Sequence, residues 1–312
     1  YHSIEGRMTK LDILGHDDPT IIRMLEDLTG IDAKTIPFDD PRTLSLFSST
    51  EGIGLTPEQL QGDQVASLAV PECGTKFVRG MLEDSRPQTF SDLVRISGFS
   101  HGTNVWLDNA QELIKNGTCK LNEAISTRDD VMNFLIHRGM NKKNSFFVME
   151  NVRKGKGIEK RNKQGQATTD FEKEMRENNI PEWFIESCKK ISYLFPRAHA
   201  VAYVMMAFRI AWFKVYHPLA FYAAYFSIRA KAFDLRIMTG DLNTQLKEFN
   251  RIKALDRGAS PKEKDLMSAL EVSMEMYQRG YRFINVDIQH SGARRFSIKD
   301  GALLPPFLAI DS

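Results

Sequence analysis

The stretch from Phe195 to Ala230 constrains this chain most. It reads Phe195-Pro-Arg-Ala-His199-Ala-Val-Ala-Tyr203, runs through Arg209 and Lys214, and meets His217-Pro218 before a second apolar run. Proline bars the residue before it from the helical region. The pattern therefore predicts a helix over 197–216 and another from Pro218 to about 230. Arg209, Lys214 and Pro218 interrupt the run, so no uncharged stretch reaches about 18 residues and no membrane span is predicted. An Arg, a His, a Tyr and a Lys stand on an otherwise small, apolar helix. Arg and His are poor choices for burying a helix face and good choices for holding phosphates.

The rest of the chain reads as more helices. Residues 8–15 predict a short buried strand, and Asp17-Asp18-Pro19 the N-cap and first turn of a helix that ends at Gly30. Prolines and glycines break up 31–73 into short helices and turns. Further helices are predicted at 74–83, 89–97, 107–115, 128–136, 141–153, 169–178, 182–192, 241–255 and 261–279. Gly155 to Gln166 has four basic residues and no apolar period beyond Ile158, so it reads as a flexible loop, with 160–167 as a disordered insertion. After Gly280 come short strand-like segments at 283–288, 295–298 and 302–304. The fold class is mainly α, with three expected parts. Residues 1–30 end one domain, 31–280 form a helical domain, and 281–312 begin a small β-containing module.

A chain of 312 residues with 42% hydrophobic and 26% charged content fits ordinary globular protein. The net charge of +2 does not announce a nucleic-acid binder, but its distribution is uneven. Residues 1–40 hold nine acidic side chains against four basic, and 138–163 hold nine basic against two acidic. An acidic end suits divalent metal and a basic segment suits phosphate. Cys73, Cys119 and Cys188 lie far apart without C-x-x-C spacing, so neither a zinc site nor a redox pair is predicted, and the expected compartment is a reducing cytoplasm.

Asp12 stands between Leu11 and Ile13 on the predicted strand, pointing opposite to both. A carboxylate on a buried strand costs free energy unless it is paired or bound to metal, and from the residues alone it either binds metal, caps a turn or pairs with Lys10. On the long helix, positions 199, 203, 206 and 210 share a face, with Lys214 near its continuation. This is either a phosphate-holding face or a core stripe. Val152-Arg153-Lys154-Gly155-Lys156-Gly157 is a basic turn without the Walker pattern. Cys73-Gly-Thr75-Lys76-Phe-Val-Arg79 and Ser100-His101-Gly-Thr103-Asn104-Val-Trp106 bring glycine next to polar and aromatic side chains that can meet a nucleic-acid strand. For His101 alone the residues favour a satisfied structural hydrogen bond, and Arg79 and Arg128 fit salt-bridged surface residues equally well.

Together, Lys10-Leu-Asp12-Ile-Leu-Gly15-His-Asp-Asp-Pro19 and the Phe195–Pro218 helix resemble the bacterial family C replicative DNA polymerases, in their PolC-type branch. The resemblance covers essentially the whole chain, from the last palm strand through the fingers to the start of the following module. It implies a piece of a longer enzyme that copies a DNA template from deoxynucleoside triphosphates by two-metal nucleotidyl transfer. Asp12 would then be a catalytic, metal-binding aspartate for two Mg²⁺ ions. Its Asp-x-Asp partners lie outside this sequence, so the piece alone is expected to be inactive. Arg153, Lys154, Lys156, Arg197, His199, Tyr203 and Lys214 would meet the nucleotide, and Lys76, Arg79, His101, Thr103 and Asn104 the DNA. Asp17 and Asp18 are expected to be helix caps. The implied partners are primer-template DNA, deoxynucleoside triphosphates and replisome subunits including a sliding clamp, with no membrane. The rival reading is a non-catalytic helical DNA-binding or interaction module.

Overall fold

Helices dominate the computed structural model, which describes residues 15–161 and 167–310. The first half holds α1 (Asp17–Thr29), α2 (Pro41–Ser45), α3 (Lys76–Ser85), α4 (Phe90–His101), α5 (Gln111–Lys115), α6 (Arg128–His137) and α7 (Lys142–Val152). The second half holds α8 (Phe171–Glu177), α9 (Glu182–Lys190), α10 (Arg197–Tyr216), α11 (Pro218–Ile228), α12 (Leu235–Met238), α13 (Leu242–Ala254) and α14 (Pro261–Gln278).

Local chemistry sets many of these boundaries. Thr89 and Asp92 form a reciprocal capping box that opens α4, and Ser260 and Glu263 do the same for α14. Gly30 ends α1 in the left-handed region (φ 72), where its N–H reaches Glu26 O. The predicted helix at 107–115 is shorter than expected. Asp108 (φ 56) and its neighbours break the helical backbone, and α5 starts only at Gln111.

At the centre lies α10, packed against α1, α2, α4 and α11. Phe208 sits fully buried on it, among the rings of Phe38, Phe47 and Phe90. This is the one helix among the described residues long and apolar enough to cross a membrane. Here it is the core helix of the fold, with Lys214 ion-paired inside.

Two small antiparallel hairpins complete the described chain. In the first, β1 (Glu159–Arg161) pairs with β2 (Ala167–Asp170). That corrects the expectation of an unstructured loop at its two flanks, where backbone ladder bonds form; residues 162–166 of the predicted insertion lie outside the described residues. In the second, β3 (Ser297–Lys299) pairs with β4 (Ala302–Leu304) across Asp300-Gly301, both at positive φ. That is the geometry an Asp-Gly hairpin turn requires. The predicted strand at 283–288 reduces to a single bridge between Phe283 and Leu303. Phe283 and Phe296 instead pack their rings on Phe226 of α11 and on Phe233. The strand predicted at 8–15 lies almost wholly outside the described residues.

Candidate functional site

A run of rings crosses the N-terminal half of α10. Tyr193 meets Phe195 edge to face with centroids 4.9 Å apart, and Phe195 stacks on His199 at 4.8 Å. His199 lies 4.4 Å from Tyr203, one helical turn on, and Tyr203 lies 4.8 Å from His16. His101, at the last residue of α4, stands over both, 5.4 Å from His199 and 6.1 Å from Tyr203. The i, i+4 spacing of His199 and Tyr203 puts them on one face. A short backbone bridge brings His101 to that face: Thr103 N–H donates to Tyr193 O at 3.0 Å, and Ser192 N–H to Thr103 O at 3.0 Å. Asn104 Nδ2 adds a bond to Ser192 Oγ at 2.9 Å. Gly102 is needed there, because a Cβ would come within 2.9 Å of Tyr193 O and 2.3 Å of the Val105 side chain.

Below the rings is a charged layer. His101 Nε2 lies 2.9 Å from Glu72 Oε2. Glu72 sits in the left-handed backbone region (φ 65), strain of a kind that concentrates at functional sites. The hydrogen bond to Glu72 raises the pKa of His101 above its ordinary value, and the same bond lowers that of Glu72. His199 moves the other way, lowered first by burial and then by the neighbouring His101. Asp18 is fully buried, 3.5 Å from His16 Nδ1 and 3.3 Å from Arg229 Nη1. Burial raises its pKa against the pull of His16 and Arg229. Neither Asp17 nor Asp18 is the N-cap that the sequence suggested; they are the first two residues of α1. The N-cap of α1 is His16, whose Nδ1 accepts from Asp18 N–H at 3.3 Å.

The other predicted residues fall into distinct settings. Arg197, part exposed, pairs with Asp130, while its backbone N–H donates to Asp129 Oδ2 at 2.7 Å. Arg153 and Lys154 share Glu150, at 2.5 Å and 2.9 Å. Lys156 is exposed, on a turn held against the segment leading into α10. Gly155 (φ 67) makes that contact possible, since a Cβ would lie 2.6 Å from Ser192 O. Lys76 and Thr103 are exposed. Asp12 lies outside the described residues.

Two expectations need correction. Lys214 is completely buried, and its ammonium donates to Ala66 O at 2.8 Å, Leu68 O at 2.7 Å and Glu275 Oε2 at 2.9 Å. All three of its protons are used, so it has none for a triphosphate. Burial pushes its pKa down to about 8. Arg79 is likewise buried, bonding Gly74 O at 3.1 Å and Glu271 Oε1 at 2.6 Å, with Asp63 Oδ2 3.3 Å away. Its guanidinium ties α3 to α14 instead of facing a DNA strand.

Sequence reasoning missed Glu72, His16, Arg229 and Asp130. Glu72 and Arg229 belong to no motif. Asp130 had a readable signal, because Thr127-Arg-Asp-Asp130 is a capping-box pattern. Its carboxylate accepts from Thr127 N–H at 2.8 Å and still faces Arg197. The three cysteines are buried free thiols.

Comparison with known proteins places this chain in a family. The pattern of the bacterial DNA polymerase III alpha subunit finger domain matches residues 18–179. The chain is 55% identical to the PolC-type DNA polymerase III of Caldanaerobacter subterraneus subsp. tengcongensis, over 100% of this chain and 22% of that protein. It is 53% identical to the PolC-type enzyme of Bacillus subtilis and 51% to that of Clostridium perfringens, each over 99% of this chain and 21% of the relative. The chain thus spans about a fifth of the length of the curated relatives it matches.

Proposed function

This chain belongs to the bacterial DNA polymerase III alpha subunit finger family, and from that premise we propose that it serves template-directed DNA synthesis as the fingers of a PolC-type polymerase. The observation that supports this most is the shared face of His101, His199 and Tyr203 beside the part-exposed Arg197. In this reading the incoming deoxynucleoside triphosphate lies along the first two turns of α10. Arg197 exchanges part of its contact with Asp130 for phosphate oxygens. Guanidinium suits this, because its planar fork bonds two oxygens at once. His199, held close to neutrality by burial and by His101, donates one ring N–H without adding a fixed charge. Tyr203 offers its ring to the sugar or base.

Primer-template DNA lies along the more exposed polar groups, Lys76, Thr103 and Asn104, with Lys156 and the Glu150-linked Arg153 and Lys154 on the same backbone-binding role. Lys214 and Arg79 stay out of both contacts. Such contacts go to phosphate and sugar, as a polymerase that accepts every base requires. Asp12 supplies a carboxylate, the hard oxygen donor that Mg²⁺ prefers. Asp12 would help to hold two such ions, whose chemistry there would be to activate the primer hydroxyl and steady the leaving pyrophosphate. Replisome subunits including a sliding clamp, and a cytoplasmic setting, belong to the same proposal.

The test is nucleotide kinetics in the full-length PolC-type enzyme. Arg197→Ala and His199→Ala should raise KM for the nucleotide or lower kcat with primer-template binding intact. Unchanged nucleotide kinetics in both variants would reject the placement.

A further inference from the structure

We propose that His16, Asp18 and Glu72 form a binding site for a divalent first-row transition cation, of the Mn²⁺ or Zn²⁺ class. One ligand atom from each of the three lies within 4.8 Å of the others. The residues come from two separate places in the chain, the N-terminus of α1 and the loop before α3, so the grouping is made by the fold.

A cluster of this kind is often just surface charge, and a second observation argues otherwise here. Asp18 is 0% exposed, and its Oδ2 has no hydrogen-bond partner. A buried carboxylate oxygen without a donor costs free energy unless a charge or a cation meets it. Arg229 reaches only the other oxygen, Oδ1, at 3.3 Å. The atom nearest in role to a partner for Oδ2 is His16 Nδ1, at 3.5 Å. Two ligands of one tetrahedral ion stand about 3.3 Å apart, given metal–ligand bonds of about 2.0–2.1 Å. The spacing therefore already approximates a ligand pair. An ion at Nδ1 would replace only the long bond from Asp18 N–H.

The surroundings fit as well. Glu72 is fixed by His101 through its Oε2. Ligating carboxylates in metal sites are typically held by such an outer hydrogen bond. His16 keeps 33% of its side chain exposed, which gives an ion a way in. One imidazole with two carboxylates favours Mn²⁺ or Zn²⁺ over Mg²⁺, which takes oxygen donors and waters. The site does not depend on the polymerase reading.

The experiment titrates MnCl₂, ZnCl₂ and MgCl₂ into the EDTA-treated 312-residue chain, with calorimetry and the free-Mn²⁺ electron paramagnetic resonance signal as readouts. One Mn²⁺ or Zn²⁺ per chain is expected, at least tenfold tighter than Mg²⁺. His16→Ala and Glu72→Gln should each weaken it tenfold or more. Asp18→Asn is left out of the decision because a buried change there can unfold α1, and circular dichroism checks that the two deciding variants fold. Absence of binding at millimolar metal, or binding that survives His16→Ala and Glu72→Gln, overturns the site.

Discussion

Lys214 Nζ lies 2.8 Å from Glu275 Oε1, and neither side chain meets solvent beyond 1%. The pair links α10 to α14. Glu275 also accepts from Tyr222 of α11 at 2.7 Å, and Arg279 closes the network on Lys214 O at 2.9 Å. Two backbone carbonyls, of Ala66 and Leu68, tie the loop before α3 into it. Three helices and a loop thus converge on one ammonium group.

Breaking this pair from one side leaves a charge uncompensated in the core. Lys214→Met and Glu275→Leu should each cost about 3–5 kcal/mol of stability. The double substitution should cost clearly less than the sum, since it removes both charges. Urea unfolding of the three variants measures the coupling. Strictly additive losses would mean that the two groups do not stabilise each other.

The histidines of the candidate site should titrate apart. His101 is raised by its bond to Glu72, and His199 is lowered by burial and by His101. The histidine side of the His101–Glu72 bond is fully present below pH 6.5, the ordinary histidine value, and is lost as pH rises through the raised one. The glutamate side is fully present above pH 4.5 and is lost as pH falls through the lowered value. The bond therefore contributes most between those limits. Nuclear magnetic resonance of the ring protons should show His101 titrating above His199. Glu72→Gln should bring the two together by lowering His101, and identical titrations in the unsubstituted chain would contradict the geometry.

Much of the helical frame was legible because its signals are local. Pro218 marks the break between α10 and α11, and Thr89 and Ser260 mark the starts of α4 and α14 through caps three residues long. The site was legible in part for the same reason: His199 and Tyr203 share a face by spacing alone. What stayed hidden is non-local. A lysine in an apolar run reads equally as a phosphate ligand or as half of a buried pair, and Glu275, 61 residues away, decides which. Glu72 carries no pattern, because a strained loop rather than a helix presents it. Asp18 reads as a cap because it precedes a proline, and only the packing of α11 with Arg229 shows it buried.

The basic turn after α7 offers a graded test of backbone binding. Arg153 and Lys154 already share Glu150, whereas Lys156 is exposed on the same turn. In the full-length enzyme Lys156→Ala should reduce the slope of log affinity against log salt by about 0.9, the value for one released counterion on duplex DNA. Arg153→Ala should change it less, and Glu150→Gln should steepen it by freeing two cations. Filter binding to primer-template DNA across salt concentrations gives the slopes. Three unchanged slopes would return this turn to an ordinary solvated surface.

The first turns of α10 can be separated into contact and scaffold by pairing kinetics with unfolding. Arg197 supports Asp130, but Asp130 keeps Ser126, Thr127 and Arg95 when Arg197 is lost. Arg197→Ala should therefore lower stability by only about 1 kcal/mol, as for a part-exposed ion pair, while nucleotide KM rises or kcat falls by tenfold or more. His199→Ala should show the same pattern with a smaller kinetic effect, since it removes a neutral donor stacked on Phe195. Tyr203→Ala should do both, because its ring packs on His16 and His199 as well as facing the proposed nucleotide. Tyr203→Phe should restore stability and most of the kinetics if the ring face is what matters. Steady-state nucleotide kinetics in the parent enzyme and urea unfolding of the 312-residue chain supply the two axes. If Arg197→Ala and His199→Ala unfold easily yet keep unaltered nucleotide kinetics, the first turns of α10 are scaffold, and the nucleotide must bind nearer Arg153 and Lys156.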